Sequence, residues 1–368
     1  MPIFMDRHFV EGASQEAVAE AHLKDLEIQH QFNCKAITYW LDNERGYAFC
    51  LIEAPSKSDV VKMHEKAHGL IPNEVIEVDP LIVQSFLGRI QDPKKVTYKV
   101  QNGVQLKVFS DTSFRIIANI TSTHRVLLQN KFGVSKAKQL LVKQNAVLNK
   151  HLQKGKGRKV VTDGHSFVAS FNALSPAVRC MYNIQKEMHP ISEKINLRIA
   201  VHAGNPVDES KNIFGETLQL IKLLCLAKDT SHIIFSATVS QLLEQSNIPV
   251  SETKKKVKII TPTEEHFLIR LGKVLFNHWN NPGFDIKNWC KHMAVSKSKL
   301  YRECVNIIGV SPNTLLKQYR LSQAIESLGK TNQNIAQTAF DNGFNSPSYF
   351  TKCFYKQYGM TPSRFMDG

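Results

Sequence analysis

The chain has 368 residues, of which 42% are hydrophobic and 21% are charged, a globular profile that excludes a largely disordered protein. At about 100–200 residues per domain we expect two or three domains. No apolar run approaches the roughly 18 residues that span a bilayer, and the first residues lack the parts of a signal peptide. The seven cysteines form no C-x-x-C pair, which argues against a disulfide framework or a thiolate zinc site. We therefore expect a cytoplasmic protein without a membrane partner.

The charge is unevenly distributed along the chain. The net charge of +15 divides into −7 for residues 1–93, +16 for 94–262 and +6 for 263–368. An acidic head on a basic body predicts separate modules, and the basic part indicates a polyanionic partner, most simply nucleic acid. A protein that is merely basic is the alternative that charge alone leaves open.

The first predicted domain covers residues 1–92. Its patterns predict the order β-α-β-β-α-β, with Ser14 as the cap of the first helix and a hairpin turn at DNERG. Ser56 or Ser58 begins the second helix, and Gly69 ends it. This order is typical of a ferredoxin-like fold. A short polar linker follows at residues 91–95.

The second predicted domain covers residues 96–262 and alternates strands with helices around a mixed sheet, an α/β pattern. It opens with a hairpin through Asn102 and Gly103. Strand FRIIANI follows, and then the long amphipathic helix KAKQLLVKQNAVLNKHLQ. Lysines cluster in the loop 154–159 and at 254–256, where they are either phosphate ligands or solvated charges.

The third predicted domain covers residues 263–368 and is all helical, so the chain as a whole is a multi-domain α+β protein. Residues 285–309 give a short helix, a tight turn ending at the cap Ser296 and a second helix, which is helix-turn-helix spacing. Residues 334–358 repeat this plan, with Gly343 in the turn and Pro347 opening the second helix. A continuous amphipathic helix joins the two units. It would let both enter successive major grooves about 34 Å apart.

This segment resembles the DNA-binding domain of the AraC family. The shared residues are Ser296, Leu300, Arg302, GVSP at 309–312, Leu321, Ala324, Ile335-Ala336, Gly343-Phe344, Tyr349-Phe350, GMTP at 359–362 and Phe365. The resemblance implies a transcription regulator with two helix-turn-helix units, with double-stranded DNA as its partner. It also makes RNA polymerase a candidate partner.

The exposed positions of the two recognition helices are the predicted DNA contacts, because Arg and Lys bind guanine edges or phosphates and Ser and Tyr bind either. These residues are Lys297, Ser298, Lys299, Tyr301, Arg302, Ser348, Tyr349, Lys352 and Lys356. For each lysine taken alone, a solvated surface charge is the alternative.

Stretches between residues 110 and 245 resemble class III nucleotide cyclase domains, among them RIIANITSTH, KVVTDGHSFVASF, INLRIAVHAG and IIFSATVSQLL. The resemblance implies head-to-tail pairing, and we expect a homodimer. It also leaves open a degenerate pocket for a nucleotide or another ligand.

The departures from the cyclase pattern remove its chemistry. The first metal aspartate position holds Asn119, and the second falls on His165, with Asp163 two residues early. The asparagine–arginine pair that contacts substrate falls on Gln219 and Leu223. Since two carboxylates hold the paired Mg²⁺ ions, we predict that this domain is not an enzyme and has no catalytic cofactor. A shifted alignment that returns Asp163 to the site is the alternative, and then the chain is a cyclase with a DNA-binding tail.

Histidines of the first domain have metal-ligand spacing. His64 and His68 lie four apart on one helix face, and His8 shares a face of the first strand with Asp6. Imidazoles in this number suit Ni, Cu or Zn. His22 and His30 on the other helix are weaker candidates.

The stretches MPIFMDRHFVEG, AFCLIEAP and HEKAHGLIPNEVIEVD resemble a small ferredoxin-like family known for nickel binding. The resemblance implies Ni(II) as the cofactor, with His8, His64 and His68 as the predicted metal ligands. A pair of solvated helix-end histidines is the alternative, and a metal-buffering protein is a third functional hypothesis.

Overall fold

The computed structural model describes residues 1–101, 103–109, 111–160, 166–228, 232–246, 257–329 and 334–367. The first region consists of β1 Ile3–Phe9, α1 Gln15–Ile28, a 3₁₀ turn Gln29–Phe32, β2 Lys35–Asp42, β3 Tyr47–Glu53, α2 Lys57–Ala67, β4 Glu74–Glu77 and α3 Pro80–Leu87. The antiparallel sheet has the order β2-β3-β1-β4. The predicted order β-α-β-β-α-β is therefore confirmed.

Serine caps position the two helices that cover this sheet. Ser14 accepts a hydrogen bond from the Ala17 N–H (3.1 Å), and Ser56 accepts one from the Asp59 N–H. Helix α3, which the sequence patterns did not predict, begins at Pro80 after the cap Asp79. Pro at the first helical position suits this start, because its missing N–H has no partner there in any helix.

The next two strands, β5 Thr97–Gln101 and β6 Val104–Val108, form the predicted hairpin. The buried side of the hairpin packs on the first region, where Leu106 and Val108 join Phe4 and Val18 in one cluster. The hairpin thus contacts the first region, although the sequence assigns it to the second. The boundary between residues 92 and 96 stays a prediction.

The middle region is built around a mixed six-stranded sheet of order β12-β11-β10-β7-β9-β8. Its elements are β7 Arg115–Thr121, α4 Arg125–Phe132, α5 Val134–Lys154, β8 Arg158–Val160, β9 Ser166–Phe171, α6 Leu174–Ile195, β10 Arg198–Gly204, α7 Gly215–Cys225, β11 Ile233–Phe235, α8 Ala237–Gln245 and β12 Val257–Ile259. Helices α5 and α6 cover one face of the sheet. Helices α3 and α7 cover the other face, and the outer face of the first sheet joins the same core.

The last region is helical, as predicted. Its helices are α9 Pro262–His278, α10 Ile286–Met293, α11 Lys297–Ile308, α12 Pro312–Leu328, α13 Ile335–Asp341, α14 Pro347–Tyr358 and α15 Pro362–Met366. Helices α10 and α11 form the first helix-turn-helix unit, α13 and α14 form the second, and α12 joins them.

Both units share apolar clusters with the middle region, and the first unit is also hydrogen-bonded to it. At the end of α11, the Ile308 carbonyl accepts from the Lys228 N–H (2.9 Å), and the Ile307 carbonyl accepts from Lys258 Nζ (2.7 Å). The second unit shares an apolar cluster with Val126 and Leu127 of α4. Among the described helices, none is long and apolar enough to cross a membrane.

Candidate metal centre and nucleic-acid interface

A cluster of buried polar side chains lies between the first sheet and its two helices. Strand β1 contributes Asp6 and His8 from one face, and α2 contributes His64 with His68 at its end. Helix α1 contributes Asp25. Asp6 and His64 have no exposed surface, so water cannot compensate for their charges.

Short contacts connect the cluster. His64 Nε2 lies 2.8 Å from Asp6 Oδ2, and His64 Nδ1 lies 3.0 Å from Asp25 Oδ1. His68 Nε2 lies 3.2 Å from the same Asp25 oxygen. The other Asp6 oxygen accepts the backbone N–H of Cys50 (2.8 Å). Two carboxylates therefore hold His64 from both sides.

The charges of this cluster shift its titration. Burial alone would lower the pKa of His64, but Asp6 and Asp25 raise that pKa to about 10. Burial alone would raise the pKa of Asp6, yet His8 and His64 hold that pKa well below its usual range. The structure therefore favours a charged imidazolium between ionised carboxylates when no metal ion is bound.

His8 is held differently from its neighbours. Among the residues that the structure describes, neither of its ring nitrogens has a hydrogen-bond partner, although both are buried, and Nε2 lies 3.5 Å from Asp6 Oδ2. Ligand atoms of Asp6, His8, Cys50 and His64 all lie within 4.8 Å of one another. Buried nitrogens without partners are costly, and imidazole with carboxylate is a donor set for Ni, Cu or Zn. These residues therefore fit a divalent transition metal.

The structure brings the three predicted histidines together. The ring centroids of His8 and His64 are 4.8 Å apart, and those of His64 and His68 are 5.1 Å apart. Of the weaker candidates, His22 is buried beside Tyr39 and His30 is exposed. Sequence reasoning missed Asp25 and Cys50. Asp25 lies three residues after His22 on the inner face of α1, and this helical spacing is the signal that would have indicated it.

The predicted DNA contacts lie on the outer sides of α11 and α14. All nine of these residues are exposed. The inner sides of the same helices are buried, with Leu300 and Cys304 on α11 and Phe350 and Phe354 on α14. Helix α12 separates the units by 17 residues, about 26 Å at 1.5 Å per residue. Two basic helices on one connector form a surface suited to duplex DNA.

The structure describes some of the residues at positions that the cyclase resemblance assigns to metal or substrate binding. Asn119 is buried, and its Oδ1 accepts from Ser166 Oγ (2.7 Å). Leu223 is fully buried on α7 near Gly272 of α9, while Gln219 is half-buried. Asp163 and His165 lie outside the described residues, as do Asn102 and Lys254–256.

Family models match both ends of the chain. Residues 289–368 match a helix-turn-helix domain family, and residues 4–78 match the nickel responsive protein SCO4226-like family. The chain therefore has an AraC-type helix-turn-helix domain at its C-terminus and an SCO4226-like domain at its N-terminus.

Individual relatives match parts of the chain. The arabinose operon regulatory protein of Escherichia coli is 32% identical over 92 residues, which cover 25% of this chain and 32% of that protein. The match to the crystal structure of SCO4226 from Streptomyces coelicolor has 34% sequence identity and a TM-score of 0.20. It covers 21% of this chain and 94% of the SCO4226 chain. The chain spans 10–29% of the length of the first three curated relatives it matches.

One distant match extends over the middle region. The match to a bacterial light-regulated adenylyl cyclase covers 65% of this chain and 86% of the cyclase chain, with 12% sequence identity and a TM-score of 0.29. A likeness this weak does not assign the middle region.

Proposed function

We propose that the chain is a sequence-specific transcription regulator of AraC type, with residues 263–368 binding DNA, 96–262 coupling or pairing subunits, and 1–92 sensing a metal ion. The single observation that carries this proposal is the pair of exposed basic recognition helices on one connector. Positions Lys297, Ser298, Lys299, Tyr301, Arg302, Ser348, Tyr349, Lys352 and Lys356 supply the contacts. A cytoplasmic location and DNA as partner follow from this role.

Binding of the full chain to a library of genomic fragments tests the DNA proposal. Arg302→Ala is expected to weaken the selected interaction by about 1–3 kcal/mol, the value of a base-edge contact. Lys62→Ala, which removes an exposed charge from α2, serves as the control and leaves affinity unchanged. Binding without any sequence preference would contradict the proposal and favour the metal-buffering hypothesis.

The metal proposal rests on His8 and its partners. Ni²⁺ would be held by His8 with His64, His68 and Asp6, and would neutralise the charge of the buried carboxylates. The nitrogens of His8 support this role, because they are buried and, among the described residues, make no hydrogen bond beyond a 3.5 Å contact of Nε2 with Asp6 Oδ2.

Calorimetric titration of the metal-free chain with Ni²⁺, and with Zn²⁺ and Cu²⁺ alongside, tests this site. His8→Ala breaks no hydrogen bond among the described residues but removes the 3.5 Å contact with Asp6, so circular dichroism of the variant separates loss of ligation from loss of folding. His30→Ala removes an exposed histidine of the same region and keeps binding. Equal affinity in both variants would exclude His8 as a ligand.

The sensing role also needs a route from the metal site to DNA. Arg7 lies between Asp6 and His8 on β1 and points to the opposite face. Its Nη1 donates to the Val207 carbonyl (3.2 Å), in the segment that leads into α7. Beside it, Glu209 pairs with Lys273 of α9 (3.0 Å). A shift of β1 on metal binding would thus reach the first helix-turn-helix unit.

Arg7→Met tests this route, because methionine keeps much of the stem and removes the hydrogen bond. Metal affinity should be retained while the effect of Ni²⁺ on DNA binding is reduced. Lys273→Met on its own is expected to have a smaller effect, because its ion pair is exposed. An unchanged Ni²⁺ effect in the Arg7 variant would rule out this contact as the route.

The second candidate function is a nucleotide cyclase. Asn119 argues against it, because a neutral amide bonded to Ser166 replaces the first metal carboxylate. Leu223 supplies no cation at the substrate position, since it is packed among apolar side chains. We infer that the middle region is cyclase-like and inactive and needs no catalytic cofactor. Formation of a cyclic nucleotide from a nucleoside triphosphate above background would reverse this inference.

We further infer that the chain acts as a homodimer and that RNA polymerase is a partner at promoters. The dimer is expected because the cyclase-like region resembles domains that pair head to tail. Sedimentation at several protein concentrations tests it, and a monomer at all of them would contradict it.

A further inference from the structure

Helices α4 and α5 combine strong positive charge with contact to the second helix-turn-helix unit. Residues 125–159 contain ten lysines and arginines and no aspartate or glutamate. Seven of the cations are exposed on the two helices, and five of these form what we term the basic face: Arg125, Lys131, Lys136, Lys138 and Lys143. Within the described residues, none of these five has a carboxylate at ion-pair distance, whereas Lys150 pairs with Glu187 (2.9 Å).

The basic face has a regular arrangement. Lys136 and Lys143 are seven residues apart, so they line one side of α5. The opposite side of that helix is buried against the sheet through Ala137, Leu140 and Val147. Helix α5 has 21 residues, about 32 Å of length at 1.5 Å per residue. The cations are thus held on a rigid support rather than on a loop.

The same helices are fixed to the second helix-turn-helix unit. Val126 and Leu127 of α4 are buried in one cluster with Phe350 and Phe354 of α14. The His124 and Phe365 rings lie 5.0 Å apart at the same contact. The basic face is therefore fixed in position relative to α14.

We propose that the basic face binds the phosphate backbone of the DNA that flanks the second recognition helix. Duplex DNA has one negative charge per about 1.7 Å of axis, which matches a row of cations without acidic neighbours. The contact is independent of sequence, because lysines bind phosphates as point charges and read no base edge. This proposal rests on the proposed DNA binding and extends it from the recognition helices to the middle region.

The test compares salt dependence on two duplexes with the full-length chain. A duplex of about 20 base pairs reaches only the two recognition helices, and one of about 45 base pairs also reaches the basic face. The variant Lys131→Gln/Lys136→Gln/Lys143→Gln removes three cations, and Lys35→Gln/Lys57→Gln/Lys62→Gln removes three exposed cations of the first region. Circular dichroism checks that both variants fold.

On the longer duplex, the first variant should lower the slope of log affinity against log salt by about 2–3, at about 0.9 for each lost phosphate contact. The slope on the shorter duplex and both slopes of the control variant should stay unchanged. If the wild-type chain binds neither duplex, the proposed function itself fails. If the first variant binds the longer duplex with an unchanged slope, only this inference is overturned. The same holds if that variant keeps its DNA slope but loses binding to duplex RNA or to phosphatidylglycerol vesicles.

Discussion

The two helix-turn-helix units have nearly the same local structure. Helices α11 and α14 are both 12 residues long and begin after a serine cap, Ser296 or Ser346. Each ends at a glycine with positive φ, 75° at Gly309 and 74° at Gly359. A Ser-Pro or Thr-Pro pair then opens the next helix. The two recognition helices thus share the type of N-terminal cap, the glycine at the C-terminal end and the length.

The units differ in their turns and in their attachment. Ala294, with φ 51°, makes the turn of the first unit, while Gly343, with φ 75°, makes that of the second. Both units pack on the middle region through apolar clusters, the first on α7 and the second on α4, and the end of α11 also accepts hydrogen bonds from Lys228 and Lys258. Local sequence therefore specifies the repeated units, and non-local contacts determine how each is held.

The turn comparison gives the largest expected effect. A Cβ on Gly343 would lie 2.6 Å from the Trp279 backbone oxygen and 2.8 Å from Arg320 Nε. We expect Gly343→Ala to lower the free energy of unfolding by about 3–4 kcal/mol, from the left-handed backbone and the clash together. Ala294→Gly should change it by less than about 1 kcal/mol, because relief of strain and added chain entropy oppose each other. Urea unfolding followed by tryptophan fluorescence measures both. Equal effects would show that the two turns are equivalent.

Low pH is expected to lower the stability of the middle region, to which both units attach. Burial lowers the pKa of His202 to about 4, against a smaller opposing effect of Glu265. The unfolded chain binds this proton near pH 6.5, so between pH 6.5 and 4 it carries more protons than the folded chain. Stability from His202 is therefore complete above pH 6.5 and is lost as pH falls to 4, by about 3 kcal/mol.

Thermal unfolding from pH 8 to pH 4 measures this loss. His202→Gln removes the titrating ring and should flatten the profile across that window. A variant profile parallel to that of the wild type would assign the acid sensitivity to other groups.

The attachments themselves give the smallest effects. Leu127→Ala should destabilise the second unit by about 2 kcal/mol through a buried cavity. Lys258→Met should cost the first unit about 1 kcal/mol, the value of one hydrogen bond. Amide hydrogen exchange of α14 measures the loss of stability in the Leu127 variant, and exchange of α11 measures it in the Lys258 variant. Faster exchange in both helices from either change would mean that the units open together.

Local signals were sufficient for much of this fold. Ser14, Ser296 and Pro347 stand where the sequence predicts the starts of helices, because capping depends on neighbours two or three residues away. The alternation on β1 placed Asp6 and His8 on one face. Helix α3 was missed because it has only eight residues, too few for its periodicity to distinguish it from a buried strand.

The cluster around His64 contains contacts that the sequence could not predict. The i, i+4 pair His64 and His68 predicts a shared face, but the two carboxylates that hold His64 come from β1 and α1, 58 and 39 residues away. No local pattern specifies such contacts, because they depend on how α1 crosses the sheet. Packing of the hairpin β5–β6 on the first region was unpredictable for the same reason.

Arg115 at the start of β7 has a consequence for how such chains can recombine. Its guanidinium is fully buried and donates to the carbonyls of Phe86 and Leu87, at the end of α3, and of Thr112 and Phe114. A gene fusion that exchanged residues 1–92 for an unrelated domain would remove two of these four acceptors and leave a buried cation only partly compensated. Residues 1–92 are therefore expected to be exchanged only together with the strand that depends on them, and buried Glu265, which accepts from the Thr238 N–H (3.1 Å), ties the helical region to the middle region in a similar way.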